Sequence, residues 1–162
     1  MPNQGSTCEN HKLGLVTELL RSGATVRLNV LGSSMLPSLW PGDVLTVQRA
    51  GHEEVDPGDI LLIVRNGRPF VHRLLRKTGL PECPELVLRG DAMPQDDPPA
   101  QTTQLLGKVF AIERNHRYVV PKRRAGPMSR LWALALCHWD LFRNLALRIH
   151  LMRQGNWLHR SS

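Results

Sequence analysis

The sequence contains few aromatic residues and few cysteines. Phe, Trp and Tyr together make up 5% of its 162 residues. The three cysteines, Cys8, Cys83 and Cys137, are odd in number, lie far apart and form no CxxC pair. This pattern excludes a disulfide framework and a zinc site built from cysteines. Three free thiols are typical of a protein from a reducing compartment.

Long apolar segments are also missing from the sequence. No stretch of roughly eighteen uncharged apolar residues occurs, so we expect no membrane span. Residues 1–10 are polar and lack the apolar region of a secretory signal peptide. We therefore expect a cytoplasmic or peripherally membrane-associated protein. The histidines show no ligand spacing such as HExxH, and we expect no metal and no cofactor.

The composition fits one folded domain with a short appendage. Apolar residues make up 41% of the chain and charged residues 22%, which excludes wholesale disorder. Thirteen Gly and twelve Pro predict frequent turns and a compact fold of short strands. We divide the chain into a leader with a short helix (1–24), a mainly β catalytic domain (25–120) and a basic linker with an amphipathic helix (121–162).

Hydrophobic periodicity predicts the elements of the β domain. Apolar residues at helical spacing predict a helix over residues 11–22, which Gly23 ends. Alternating or β-branched runs predict strands at residues 25–31, 44–47, 60–64, 69–75, 86–88, 105–113 and 118–120. Asn66 and Gly67 predict a tight hairpin turn between the third and fourth of these strands.

The C-terminal part of the chain is strongly basic. Residues 108–162 contain eleven Lys and Arg but two acidic residues, whereas residues 1–107 contain ten basic and twelve acidic residues. After the basic residues Lys122, Arg123 and Arg124, residues 129–154 predict a longer amphipathic helix. That helix packs on the β body or lies, with the basic residues, on an anionic membrane surface. We do not expect nucleic acid as a partner, because no recognition motif accompanies the charge.

Residues that could carry chemistry follow the first predicted strand. Residues 32–43 (GSSMLPSLWPGD) present serines at the end of a strand, and a proline restricts the backbone there. A serine becomes a nucleophile only with a base in hydrogen-bond reach. His72, in the fourth strand, is a candidate base. Asp91 and Asp97, in a turn-rich loop, are candidate orienting acids, although each alone is equally typical of a turn.

Together these segments resemble the signal peptidase I superfamily, the S26-type serine peptidases of the S24/S26 fold. Residues 32–43 resemble its nucleophile box and residues 55–60 (VDPGDI) its next strand entry. Residues 71–74 (VHRL) are similar to its base box, and residues 88–97 (LRGDAMPQDD) to its acid box. Residues 106–109 (LGKV) resemble its closing strand. The resemblance implies a mainly β fold of the signal-peptidase and SOS-repressor type.

The resemblance also implies roles for individual residues. Ser34, which precedes Met35 as the family serine does, is the expected nucleophile, and His72 is the expected base. Bacterial members place Lys at the base position, so this chain is similar to the Ser-His branch of archaea and the endoplasmic reticulum. Lys77 is expected beyond the end of the strand. Asp97 is the expected orienting acid, and Asp91 is the competing choice.

Oxyanion stabilisation and substrate binding are expected close to the nucleophile. The candidates are Ser33, Met35, Leu36 and Pro37, and the apolar surface is expected to include Leu36, Leu39 and Trp40. The implied function is a serine endopeptidase that cleaves a peptide or protein precursor by acyl transfer. The alternatives are a catalytically silent peptide-binding module on the same fold and a peripheral membrane-binding protein.

Overall fold

The computed structural model describes residues 4–123. The chain begins with helix α1 (Gln4–Arg21), which starts seven residues before the predicted helix. Leu20 packs into the core at the end of α1 and is 1% exposed. Gly23 then adopts a left-handed backbone with φ of 84°, and its amide bonds to the Leu20 carbonyl. This is the expected role of glycine after a helix end.

Eight strands follow α1 in the described residues. They are β1 (Val26–Asn29), β2 (Val44–Gln48), β3 (Ile60–Arg65), β4 (Arg68–Leu80), β5 (Cys83–Arg89), β6 (Ala100–Gln101), β7 (Leu105–Arg114) and β8 (Arg117–Val119). Two short 3-10 helices, His52–Glu54 and Thr102–Gln104, join them. Each predicted strand corresponds to an observed one, whereas β6 and the 3-10 helices were not predicted.

The strands form one antiparallel sheet. Its order is β1-β2-β7-β3-β4-β5-β6, and β8 pairs with the end of β7. The late strand β7 therefore lies between the early strands β2 and β3 and joins the two halves of the sheet. The prediction of a mainly β fold with an N-terminal helix is confirmed. The predicted helix at residues 129–154 lies outside the described residues.

Strand β3 explains why the sheet has two apolar layers. Its first four residues, Ile60 to Ile63, are all at most 1% exposed. Because side chains alternate along a strand, Ile60 and Leu62 join a cluster with Leu20 of α1, whereas Leu61 and Ile63 join a cluster on the other face. Burial of each such side chain contributes about 1.5–3 kcal/mol. β3 thus fixes the sheet between two cores.

The β3–β4 hairpin is as tight as predicted. Asn66 and Gly67 both have positive φ, 51° and 70°, so Arg65 and Arg68 are directly opposite each other. This geometry is typical of a two-residue hairpin turn.

Strand β4 continues beyond the predicted end at residue 75. A register shift between Leu74 and Arg76 interrupts the alternation, and pairing with β5 then extends to Leu80. Lys77 therefore lies inside the strand, and its expected position beyond the strand is wrong. Its Nζ donates to the His52 carbonyl at 2.7 Å.

Candidate active site

The loop that carries Ser34 connects β1 to β2 and is anchored by apolar side chains. Met35, Leu36 and Leu39 are 3%, 0% and 1% exposed. The Leu36 amide bonds to the Ser33 carbonyl and the Leu39 amide to the Met35 carbonyl, while the Leu36–Pro37 peptide bond is cis. Burial of the residues after Ser34 holds the serine at a defined place above the sheet.

A buried acid fixes the far end of this loop. Asp43 is 1% exposed, and its carboxylate accepts the Trp40 amide at 2.8 Å. Arg114 of β7 donates to both Asp43 oxygens at 2.8 and 2.5 Å, and to the Ser38 carbonyl at 3.0 Å. Such a bidentate pair is strong and directional. It ties the serine loop to the strand that joins the sheet halves.

The expected apolar substrate surface is only partly available. Met35, Leu36 and Leu39 face the interior, so the expectation that Leu36 and Leu39 offer an exposed surface is wrong. These apolar side chains are buried because the turn that carries them closes over the core. Pro37 and Trp40 are half-buried, and the Trp40 indole donates to the Pro37 carbonyl at 2.9 Å.

His72 meets the serine from strand β4. Its Nε2 lies 3.1 Å from the Ser34 Oγ, which is hydrogen-bond distance. The Phe70 ring, two residues earlier on the same strand face, packs edge-on against the imidazole with ring centres 5.1 Å apart. The histidine side chain is 12% exposed, so it is oriented by packing and yet open on one side.

Asp97 contacts the second ring nitrogen of His72. Its Oδ2 lies 2.5 Å from His72 Nδ1. Because a carboxylate is an acceptor, Nδ1 carries the proton, and in the neutral imidazole Nε2 is free to accept the Ser34 hydroxyl. The Asp97 amide bonds to the Leu88 carbonyl of β5 at 2.8 Å, which holds the acid loop against the sheet.

Asp91 does not contact His72. It forms a bidentate pair with Arg73, at 2.8 Å from Nε and 2.6 Å from Nη2. Both side chains are buried, with exposures of 7% and 8%. Arg73 also donates to the Ser38 hydroxyl at 3.1 Å and to the Gly58 carbonyl at 2.7 Å. The structure therefore brings Ser34, His72 and Asp97 together and places Asp91 in a separate, buried network.

Gly90 lies between the Ser34–His72–Asp97 group and the buried network of Asp91. A Cβ added there would be 2.6 Å from the Ser34 carbonyl oxygen and 3.1 Å from His72 Nε2. Two residues on, the Ala92 amide donates to the same Ser34 carbonyl at 2.8 Å. The acid loop therefore touches Ser34 directly, and the close approach requires a residue without a side chain.

The sequence did not point to Arg73, Arg114 or Gly90. One signal was available for Arg73, because a charge beside apolar residues on a strand needs a carboxylate partner if it is buried. The paired Arg114 is 71 residues from Asp43 in sequence, and nothing local indicates it.

The start of the basic linker packs on the body. Arg123 pairs with Asp56 and with Asp59, at 3.1 Å each, and the Lys122 carbonyl accepts from Arg73 at 2.8 Å. The carbonyl of Arg123 lies so close to Gly58 that a Cβ there would be 2.2 Å away. Arg124 and the predicted basic helix lie outside the described residues.

Asp59 has an altered acidity in this region. Burial alone would raise the pKa of its carboxyl group. The Asp56 amide, the Lys108 ammonium at 2.9 Å and Arg123 together outweigh burial, so the pKa is lowered. The ionised form is therefore favoured by its neighbours.

Two kinds of feature are absent from the described residues. Between residues 4 and 123, no helix has the length and hydropathy that a bilayer crossing requires. In the same part of the chain, no group of three His, Cys, Asp or Glu side chains is arranged to hold a metal ion.

The fold and the site define a class of protein. On the antiparallel sheet, Ser34, His72 and Asp97 stand in the same hydrogen-bond order as the three side chains of a serine-peptidase triad. The family comparison agrees, since the peptidase S24-like model matches residues 4–110, roughly two thirds of the chain. The chain belongs to the peptidase S24-like family, in the S24/S26 superfamily. No curated protein matches it.

Proposed function

We propose that this protein is a serine endopeptidase of the signal-peptidase type, which cleaves a peptide or protein precursor. Ser34 is the nucleophile, His72 the general base and Asp97 the orienting acid. The observation that carries the proposal is the continuous row from Ser34 Oγ through both ring nitrogens of His72 to Asp97 Oδ2, with distances of 3.1 and 2.5 Å.

The chemistry is acyl transfer. Ser34 Oγ bonds to the substrate carbonyl carbon while its proton passes to His72 Nε2. The carbon–nitrogen bond then breaks, and the same proton leaves with the amine. Water repeats the sequence on the acyl enzyme and regenerates the hydroxyl. Asp97 holds the tautomer and stabilises the imidazolium that forms in each step.

The developing oxyanion needs donors on the serine side of the carbonyl. The Ser34 amide is one donor, and Ser33 supplies the second from its amide or hydroxyl. Two backbone contacts support this role. The Ser33 carbonyl accepts the Leu36 amide at 3.2 Å and the Ser34 carbonyl accepts the Ala92 amide at 2.8 Å, so the peptide units on both sides of the nucleophile are oriented.

The signal-peptidase branch is proposed from the motifs. The nucleophile box of residues 32–43 and the acid box of residues 88–97 support it. A histidine in the base box supports the Ser-His variant similar to that of archaea and the endoplasmic reticulum. An imidazole exchanges protons near neutral pH, so we expect activity around neutrality.

An active-serine probe tests the proposal without a known substrate. Wild-type protein is incubated with a fluorophosphonate, and the modified residue is located by mass spectrometry. We expect labelling at Ser34 and a loss of at least about a thousandfold in labelling rate for Ser34→Ala and His72→Ala. Ser22→Ala, which removes an exposed hydroxyl at the end of α1, is the matched control and keeps full labelling.

Two results would overturn the assignment. Equal labelling of Ser34→Ala would show that another residue is the nucleophile. An unlabelled wild-type protein that still binds peptides would favour the catalytically silent binding module. Melting curves of each variant verify that it is folded.

A further inference from the structure

A pocket lies beside His72, and Ser34 is not among the residues that line it. It has a volume of about 530 Å³, within the roughly 300–1,000 Å³ of small-ligand sites. His72 and Asp97 form one wall, and the remaining lining consists of Arg65, Asn66, Arg68 and Phe70. Nothing in the proposed acyl transfer requires these four residues.

The geometry of the β3–β4 hairpin gives the pocket its charge. Arg65 and Arg68 pair directly across the turn, so their side chains share one sheet face. Arg68 is also two and four residues from Phe70 and His72, which places all three on that face of β4. Like charges directly opposite each other destabilise a hairpin. The hairpin therefore retains an unfavourable pair next to the site.

A second hairpin with nearly the same sequence makes this pair unusual. Residues 114–117 (RNHR) repeat the pattern of residues 65–68 (RNGR), and their asparagines have φ of 50° and 51°. In the second hairpin, Asp43 neutralises Arg114 through two hydrogen bonds. In the first, no carboxylate within the described residues lies at ion-pair distance from Arg65 or Arg68. The two hairpins therefore differ in one respect: the second has a carboxylate beside its arginine, and the first has none within the described residues.

Arg65 is held in place without being neutralised. Its Nη2 donates to the Pro98 carbonyl at 2.6 Å, and its guanidinium carbon lies 5.4 Å from the centre of the Phe70 ring. Neither contact supplies negative charge. Asp97 is the carboxylate among the residues that line the pocket, and it is paired with His72. The two positive charges of Arg65 and Arg68 therefore outnumber the one negative charge of the lining. An arginine fixed in this way is preorganised for a carboxylate.

We propose that this pocket binds a carboxylate of the peptide substrate, held between Arg65 and Arg68. The carboxylate belongs to the segment that leaves, because His72 passes its proton to the leaving amine and the pocket adjoins His72. The substrate class is thus a peptide with an acidic group shortly after the cleaved bond. This assignment of substrate rests on the proposed endopeptidase function, whereas the binding of a carboxylate does not.

A binding assay tests the pocket separately from catalysis. Ser34→Ala protein is titrated with fluorescent, end-blocked octapeptides in which one Glu is moved along a neutral frame, and with Gln and Lys counterparts. We expect one position at which Glu binds at least about tenfold more tightly than Gln, with Lys weakest. Neutral peptides with a free or an amidated C-terminus distinguish a side-chain carboxylate from a terminal one.

Charge variants in the same Ser34→Ala background identify the residues responsible. Arg65→Gln and Arg68→Gln should each remove most of the preference for Glu, and Arg68→Glu should reverse it in favour of Lys. Arg117→Gln is the matched control, because Arg117 has the equivalent place in the second hairpin. It should retain the full preference. An equal loss in Arg117→Gln would indicate a general charge effect and overturn the pocket.

Cleavage of a mixed peptide library by the protein with Ser34 intact then links binding to catalysis. Enrichment of Asp and Glu at one position after the cut supports the proposal. Cleavage without acidic preference, or with the preference before the cut, overturns it and leaves the peptidase function standing. An intact library together with a retained Glu preference in binding removes the peptidase function and leaves the carboxylate site. Equal or undetectable binding of the Glu, Gln and Lys peptides overturns the pocket.

Discussion

His72 and Arg73 are neighbours on β4 and serve opposite sides of the sheet. Each is a basic residue that pairs with an aspartate from the same loop. The partner of His72 is Asp97, and the partner of Arg73 is Asp91. The His72 pair is partly exposed and reaches Ser34. The Arg73 pair is buried and is joined to the Ser38 hydroxyl and two backbone carbonyls. Strand alternation alone separates the two environments.

This comparison shows how one loop can supply two different carboxylates. A guanidinium keeps its charge, so its pair with Asp91 is a fixed link between the acid loop and the interior. An imidazole gains and loses a proton, so its contact with Asp97 can follow a reaction. Variants that exchange or weaken the two pairs should therefore affect different properties, turnover in one case and stability in the other.

Asp97→Asn should have the largest effect on turnover. Loss of the acceptor at His72 Nδ1 favours the wrong tautomer, and we expect a decrease of about 10³–10⁴ in the rate of serine labelling or peptide cleavage. The measurement is the second-order rate constant for fluorophosphonate labelling. Thermal unfolding should change little, because Asn has the same size and shape as Asp97 and the backbone contact with the Leu88 carbonyl is retained.

Asp91→Asn is the matched comparison for that experiment. Its labelling rate, corrected for the folded fraction, should fall far less than that of Asp97→Asn. Equal losses in the two variants would contradict the separation of the pairs.

The buried pair should dominate stability. Removing one partner leaves an unpaired charge in the interior, so Asp91→Asn and Arg73→Met should each cost about 3–5 kcal/mol of unfolding free energy. Urea denaturation provides the measurement. The double variant Arg73→Met/Asp91→Asn should lose less than the sum of the two single variants, because neither charge is then left alone. Strict additivity would show that the pair is not coupled.

Gly90→Ala should damage the place where the two regions meet. The new methyl group would press on the Ser34 carbonyl and His72 Nε2, and we expect a loss of about 1–3 kcal/mol in stability. Displacement of Ser34 should lower labelling by about a hundredfold. Gly32→Ala, where no atom lies within 4 Å of the added Cβ, is the control and should behave as wild type.

Acid should weaken the Asp59 contacts, the smallest expected effect. The folded-state pKa of Asp59 is lowered, so its stabilisation is present above the unfolded pKa of about 3.9 and is lost as pH falls through the folded value. The difference in unfolding free energy between wild type and Asp59→Asn should thus be constant near neutrality and shrink below about pH 4. A difference that grows toward low pH would contradict the assigned direction.

The resemblance named Ser34 and His72 and favoured Asp97 over Asp91, whereas the residues alone did not distinguish the two acids. Ser34 and His72 stand in recognisable motifs. Asp91 and Asp97 are both in a turn-rich loop, and their partners are fixed by how that loop folds back over β5, through contacts such as the Asp97 amide with the Leu88 carbonyl. Local sequence contains no information on that path. The buried Leu36 was misread for the same reason, because apolar character does not distinguish a core side chain from a binding surface.

The elements of the fold also differ in how far local sequence predicts them. Turn residues and alternation sufficed to predict every described strand except β6, since both are local signals. The two residues of β6 are too few for a periodic pattern. The far half of β4 was missed because the irregularity near Arg76 breaks the period of two that the prediction relies on. The first turns of α1 carry no apolar stripe, so composition did not mark its start.

The pleat between residues 68 and 73 has a consequence for protein engineering. Inserting or deleting one residue anywhere between the hairpin turn and His72 would rotate the following side chains to the opposite side of the sheet. A deletion would direct the imidazole to the opposite face and bring the Arg73 guanidinium to the place facing Ser34, whereas an insertion would bring Val71 there. Grafts and loop exchanges in this protein should therefore be made in steps of two residues, or within the Asn66–Gly67 tip.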